Sequence, residues 1–124
     1  MDRPGGIPGG MISELRNLHS QRLYLVSTAP EQGQDFWTIA ILPTVERKGW
    51  FGLSRRLEPD PYHPVATIVR NNREDAYRVH AEVRHIVGTL PEEKWFEALP
   101  SPRPPEGYSP GARAKLISQG VDPD

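Results

Sequence analysis

Apolar residues recur at helical spacing along one stretch of the chain, residues 73–90. Most lie three or four positions apart and so form a stripe on one side of a helix: Ala76, Val79, Val83, Ile86, Val87 and Leu90. Asn72 precedes the stretch as a predicted N-cap, and Glu74 and Asp75 put negative charge at the positive end of the helix dipole. Gly88 is predicted to end the helix in a left-handed conformation. The stripe needs a sheet or another helix to cover.

Period-two alternation and β-branched residues predict three strands before this helix, over residues 22–28, 35–45 and 65–70. The turn-rich connection 29–34 predicts that the first two form an antiparallel hairpin. Apolar side chains occur on both faces of both hairpin strands, which is typical of strands covered on two sides or paired with a partner. The predicted fold class is α+β: a small antiparallel sheet of three to four strands, one long amphipathic helix packed on one face, and short helices at the termini.

Residues 46–64 show no clear period. A turn and a short strand over residues 48–53 would extend the hairpin into a meander, and Pro59, Pro61 and Pro64 then predict an extended path with few backbone hydrogen bonds. Connections of this length without regular structure are uncommon in a compact domain, and many are functional loops. This segment is therefore the first place to look for a binding site.

The two ends of the chain are predicted to differ from its centre. Residues 1–10 are rich in glycine and proline, have little to bury, and predict a flexible leader. Residues 11–99 predict one α+β domain that begins with a short helix, because its first apolar residues follow helical spacing: Met11, Ile12, Leu15 and Leu18. A second short helix is predicted to end near Leu99. Residues 100–124 predict a proline-rich spacer and a last helix over residues 112–119.

Composition narrows the classes of function. The net charge of −1 gives no overall attraction to nucleic acid or to an anionic membrane, so either would need a local patch. The chain has no cysteine, which excludes disulfides, thiolate metal sites and cysteine nucleophiles and favours a cytoplasmic location. No apolar run reaches the roughly 18 residues of a membrane span, so we expect no membrane association.

Cations and aromatic residues alternate in one segment of the irregular region. Its candidate binding residues are Arg47, Lys48, Trp50, Phe51, Arg55 and Arg56. Residues 46–56 contain four positive charges and one negative charge, a local net charge of +3. Cations neutralise phosphates and exposed aromatic rings stack on unpaired bases, so the segment is a candidate surface for nucleic acid or a protein partner. The alternative is that Trp50 and Phe51 belong to the core and the segment is structural.

No catalytic or metal-binding constellation is predicted. His80 and His85 are five residues apart, roughly 140° around a helix, so they do not share a face as metal ligands spaced by four residues do. Asp60 and His63 could place a carboxylate beside an imidazole, but no second ligand pair or nucleophile accompanies them. We therefore predict no metal, no cofactor and no catalytic residue.

The proline-rich tail is a further candidate. Pro102 and Pro105 flank Arg103 in a pattern that aromatic grooves bind in extended form; the alternative is a spacer that lays the last helix on the domain or on a neighbouring subunit. The leading prediction is a non-enzymatic interaction domain that forms a homo-oligomer and presents the segment 47–56 and the tail to a protein partner. The alternatives are a nucleic-acid-binding module using the same basic segment, and a small enzyme whose pocket would hold Asp60 or His63.

Overall fold

The computed structural model describes residues 10–48, 55–60 and 63–123, and within the strands it describes the backbone alone for residues 46–48 and 55–57. In this part of the chain, five strands come first: β1 (Met11–Arg16), β2 (Leu23–Pro30), β3 (Trp37–Lys48), β4 (Arg55–Pro59) and β5 (Ala66–Arg70). The helical elements follow: α1 (Arg73–Thr89), a 3-10 turn (Glu92–Lys94) that runs into α2 (Trp95–Ala98), and α3 (Pro110–Ser118).

All strand pairings are antiparallel, and β3 is the centre of the sheet. One edge of β3 pairs with β2, which in turn pairs with β1. The other edge is shared, because residues 37–41 pair with β5 and residues 44–48 pair with β4. The predicted α+β class with an antiparallel sheet and one long helix on it is confirmed. The predicted meander also forms, with β4 as the strand that follows β3, whereas the turn and short strand predicted over residues 48–53 fall on a segment of which 49–53 lie outside the described residues.

The core lies between α1 and one face of the sheet. Strand residues that alternate toward the helix are almost fully buried: Tyr24, Val26, Ile39, Ile41 and Ile68. They pack against the predicted stripe of α1 and against Trp95 of α2, whose ring meets Tyr24 edge-on at 4.9 Å between centroids. Burial of this apolar stripe supplies the stability that the local propensity of the helix does not.

The two ends of α1 are capped in different ways. The side chain of Asn72 accepts a hydrogen bond from the amide of Asp75, as predicted for the N-cap. The prediction for Gly88 is wrong, because the helix continues to Thr89 and Leu90 follows in an extended conformation. Leu90 precedes Pro91, and a residue before proline is disfavoured in a helix.

The C-terminal carbonyls of α1 are satisfied from the turn between β1 and β2. The amide nitrogen of Asn17 donates from its side chain to the carbonyls of Val87 and Leu90, both at 2.8 Å. The backbone amide of Leu18 donates to the carbonyl of Gly88 at 3.0 Å. Asn17 is completely buried, so this distant turn is the C-terminal cap of the helix.

The short helix predicted at residues 11–18 is wrong, since residues 11–16 form β1. Ser13 and Leu15 face α1 in this strand, while Glu14 and Arg16 face the other way. Exposed Ile12 interrupts the polar side of that alternation and gave the segment its helical spacing. Pairing with β2 outweighs the weak helical preference of so short a segment. At the other end, α3 confirms the predicted last helix, with Ser109 as its N-cap.

Candidate interaction surfaces

The distal part of β3 and the whole of β4 form a two-stranded ribbon. β2 pairs with β3 only as far as Pro43, and residues 44–48 continue in pairing with β4. The register sets Arg47 opposite Arg56 and Lys48 opposite Arg55. Like charges directly opposite each other destabilise an antiparallel pair. The backbone register of the ribbon therefore places four cationic positions in two neighbouring pairs.

The predicted basic and aromatic site is only partly placed by the structure. Trp50 and Phe51 lie outside the described residues, and so do the side chains of Arg47, Lys48, Arg55 and Arg56. The backbone register brings the four cationic positions together in two neighbouring pairs. Their role in binding stays a prediction, as does the choice between core and surface for the two aromatic residues.

The sheet face opposite α1 carries a partly open group of apolar side chains, with polar residues such as Ser27 and Thr67 on the same face. Side chains that alternate toward this face are half-buried in the inner strands: Leu23, Leu25, Ala29, Ala40, Leu42 and Val69. Ile12 of β1 shares the face and is 70% exposed. Apolar surface of this kind on a small domain makes this group of side chains a candidate site of contact with another molecule.

A cluster of charged and polar side chains lies at the start of β2, which is the end of that strand nearest the ribbon. The Tyr24 hydroxyl donates to Oε2 of Glu92 at 2.5 Å, and Nη1 of Arg22 lies 3.5 Å from the same oxygen. Burial, followed by the hydrogen bond to Glu92, raises the pKa of Tyr24. Burial alone would raise the pKa of Glu92, but bonds from Ser20 and Tyr24 and the Arg22 charge outweigh it, so the pKa is lowered.

This cluster borders a cleft of ≈ 370 Å³ that is also lined by Arg16 and Thr44. The Glu92 carboxylate already takes the hydrogen bond of Tyr24 and lies beside Arg22, while Nη1 of Arg16 donates to the carbonyl of Gln21 at 2.7 Å. The described polar groups of the cleft are thus bonded within the chain. Through the bond between Tyr24 and Glu92, this cluster links the start of β2 to the segment that follows α1.

His80 is buried under the sheet and not displayed on a surface. Its two ring nitrogens bond the hydroxyls of Ser13 and Thr28, at 2.9 and 2.7 Å. The residue is 2% exposed, and burial, together with the positive charge of Arg84, lowers its pKa. A neutral imidazole satisfies both hydroxyls, whereas a protonated ring would carry an unbalanced charge into the core. His85 is exposed on the same helix, so the two histidines diverge as predicted.

The predicted contact between Asp60 and His63 forms, with Nδ1 of His63 2.9 Å from Oδ2 of Asp60. The His63 side chain is 80% exposed, so the pair lies on the surface of the described chain and not in a pocket. Within the described residues, no group of three or more histidine, aspartate or glutamate side chains is placed to hold a metal ion.

The proline-rich tail packs along its own domain. The carbonyl of Pro102 accepts from the amide of Val69, and the carbonyl of Arg103 accepts from Nη1 of Arg70, both at 3.0 Å. Pro104 is buried. Further on, Ser109 donates to Asp35 at 2.6 Å, which fixes the start of α3 on the loop between β2 and β3. The segment thus covers the outer edge of β5 and positions the last helix.

Sequence reasoning missed the roles of Asn17, His80 and Glu92. Their partners lie 70, 52 and 68 residues away along the chain. No local spacing reports such contacts. Tyr24 and Thr28 share the inward face of β2 at period-two spacing, which is the one local signal that polar atoms enter the core there.

Comparisons of the chain with protein-family models, curated proteins and solved structures gave no significant match. Among the described residues, no helix combines the length and apolar character needed to cross a lipid bilayer. Inference about function therefore rests on the surfaces described above.

Proposed function

We propose that this chain is a non-enzymatic, cytoplasmic protein-interaction domain that self-associates. The observation that carries the proposal is the apolar face of the sheet on the side away from α1. Leu25 and Leu42 are half-buried at its centre, where a covered sheet would bury them fully, and Ile12 extends the face to the edge strand. Protein contacts remove such surface from water with a favourable free energy that grows with the area buried.

The described titratable groups support an interaction role. His80 bonds two hydroxyls inside the core, and Glu92 bonds Tyr24 beside Arg22. Both are used to hold elements of the fold together. The proline-rich tail is likewise packed on its own domain through Pro104. Partner contact is therefore expected at the sheet and the ribbon instead of the tail.

Sedimentation velocity and light scattering of the full chain over a wide concentration range test the proposal. The expected result is an average mass that rises above that of one chain as concentration increases. A chain that stays monomeric at the highest concentrations contradicts it. Leu42→Lys, at the centre of the face, should weaken the self-association, and Ala81→Lys, at an exposed position on α1, is the matched control that should leave it unchanged.

A second candidate function is nucleic-acid binding by the ribbon. The observation that favours it is the register, which places Arg47 opposite Arg56 and Lys48 opposite Arg55. A two-stranded β-ribbon fits the major groove of duplex DNA, and cationic side chains on it neutralise phosphates.

The salt dependence of oligonucleotide binding tests this second candidate. Affinity should fall steeply with salt, and the double variant Arg55→Ala with Arg56→Ala should reduce the duplex slope by about 1.8, the value for two lost phosphate contacts. Arg84→Ala, an exposed cation on α1, is the control and should leave the slope unchanged. Absence of binding at low salt removes this candidate.

A further inference from the structure

The outer edge of β1 differs from the outer edge of β5. On the β5 side, the amide of Val69 is bonded by the proline-rich segment through the carbonyl of Pro102. On the β1 side, the pairing partner in the described chain is β2, on the inner edge alone. Prolines blunt the β5 edge, whereas among the described residues the outward backbone groups of β1 have no partner, and such edges pair readily with another strand.

The hydrogen-bond pattern shows which residues of β1 present those groups. The amide of Asn17 donates to the carbonyl of Arg22 at 2.8 Å, so these two form a bonded pair at the end of the β1–β2 ladder. Bonded and non-bonded pairs alternate along antiparallel strands. The backbone groups of Ser13 and Leu15 therefore point to β2, and those of Ile12, Glu14 and Arg16 point outward.

We propose that β1 pairs antiparallel with β1 of a second copy of this chain, about a two-fold axis at Leu15. This inference rests on the self-association in the proposed function and specifies its geometry. In this register, Glu14 of each copy lies opposite Arg16 of the other, and both residues have outward backbone groups. Two opposite-charge pairs then flank the axis, one on each side, and directly opposed charges of unlike sign stabilise strand pairs.

The neighbouring register is disfavoured by the same side chains. Moving the axis to Glu14 also matches outward backbone groups, but it sets Glu14 opposite Glu14 of the second copy. An axis between Ser13 and Glu14 would pair outward with inward backbone groups and form no ladder. Among the axes that match outward backbone groups, only the axis at Leu15 sets Glu14 opposite Arg16. The pairing joins the two sheets into one, with the Glu14 and Arg16 side chains of both copies between the two apolar groups.

Charge reversal provides a sharp test of this register, with the dimer dissociation constant measured by sedimentation. Glu14→Arg and Arg16→Glu should each raise the constant about tenfold or more, because each replaces two attractive pairs with two repulsive ones. The double variant Glu14→Arg with Arg16→Glu should return it to within about threefold of the original. An equimolar mixture of the two single variants should form a heterodimer. Glu97→Arg, an exposed position on α2, is the control for charge alone.

Amide hydrogen exchange gives a second readout that does not depend on a variant that folds. The amides of Glu14 and Arg16 should gain protection as protein concentration rises, while those of Ser13 and Leu15 stay protected throughout through their bonds to β2. Self-association with unchanged exchange at Glu14 and Arg16, or with a dissociation constant insensitive to Glu14→Arg, overturns the edge pairing and leaves the proposed function standing. A monomer at every concentration overturns both.

Discussion

The two faces of the sheet carry similar apolar residues that differ in how deeply they are buried. Toward α1, Val26 and Ile41 are at most 1% exposed and meet the stripe of the helix. On the opposite face, their neighbours Leu25 and Leu42 remain half-buried. One face is therefore the core of the fold, and the other is surface available to a second molecule. Neighbouring positions on one strand thus differ in their surroundings: one side chain packs in the core, and the next lies on the partly open face.

The largest expected effect is on the covered face. Ile41→Ala should lower the free energy of unfolding by about 2–5 kcal/mol, because it removes buried methyl groups and leaves a cavity. Leu42→Ala, one residue along β3, is the matched control and should cost less than about half as much, since its side chain is only half-buried. Urea unfolding followed by circular dichroism measures both. Equal losses would mean that the second face is as fully packed as the first.

The cap provided by Asn17 is the next target, because it ties the N-terminal turn to the covered side. Asn17→Ala leaves the buried carbonyl of Val87 without its side-chain donor and leaves the carbonyl of Leu90 with the ring N–H of Trp95 alone, so a loss of about 2–3 kcal/mol is expected. Leu18→Ala, at an exposed position in the same turn, keeps its backbone bond to Gly88 and should cost far less. Denaturant unfolding gives the free energies, and exchange of the last amides of α1 should accelerate only in the Asn17 variant.

Acid should lower the free energy of unfolding through His80, which lies between α1 and the sheet. Its pKa in the folded chain lies below the unfolded value of about 6.5, so the unfolded chain binds the proton first as pH falls. Its contribution is intact above that value and declines below it, by up to about 1.4 kcal/mol per pH unit until the folded pKa is reached.

Urea unfolding at a series of pH values between 7.5 and 5 measures this decline. His80→Gln should flatten the profile, whereas His85→Gln, at an exposed position on the same helix, should leave it unchanged. A wild-type profile that is already flat over this range would show that the core accepts a charged ring at His80.

The smallest expected effect is in the turn between β1 and β2. Gln21 has a φ of 64°, in the left-handed region that favours glycine. Gln21→Gly should stabilise the domain by about 0.5–1 kcal/mol through relief of this strain, measured as a shift of the urea midpoint. Gln32→Gly, in the exposed loop before β3, lacks this positive φ and should be neutral or destabilising.

Features carried by local spacing could be predicted from the sequence. The stripe of α1 and the cap at Asn72 depend on residues within a few positions of each other, and both are confirmed. The end of α1 could not be predicted, because its carbonyls are bonded by Asn17 and not by a local motif at Gly88. The prediction of a helix at β1 is wrong because the segment is too short for its helical propensity to outweigh pairing with β2.

The candidate sites divide in the same way. The cationic positions of the segment 47–56 are visible in the sequence, but their opposed pairing depends on where β4 begins, at Arg55. The apolar face required the strand register as well, since alternation alone does not say which side α1 covers. The edge of β1 could not be considered at all until the segment was known to be a strand.

The contact between Asn17 and the end of α1 also constrains the order of folding. A ribosome must synthesise the whole chain from the first hairpin to Leu90 before this cap closes, because its partners lie 70 and 73 residues apart. Closing so long a loop slows folding, since chain entropy is lost before the contact is gained. During synthesis the pair β1–β2 therefore forms before its helix is available, and the apolar inner face of this pair depends on α1 for cover.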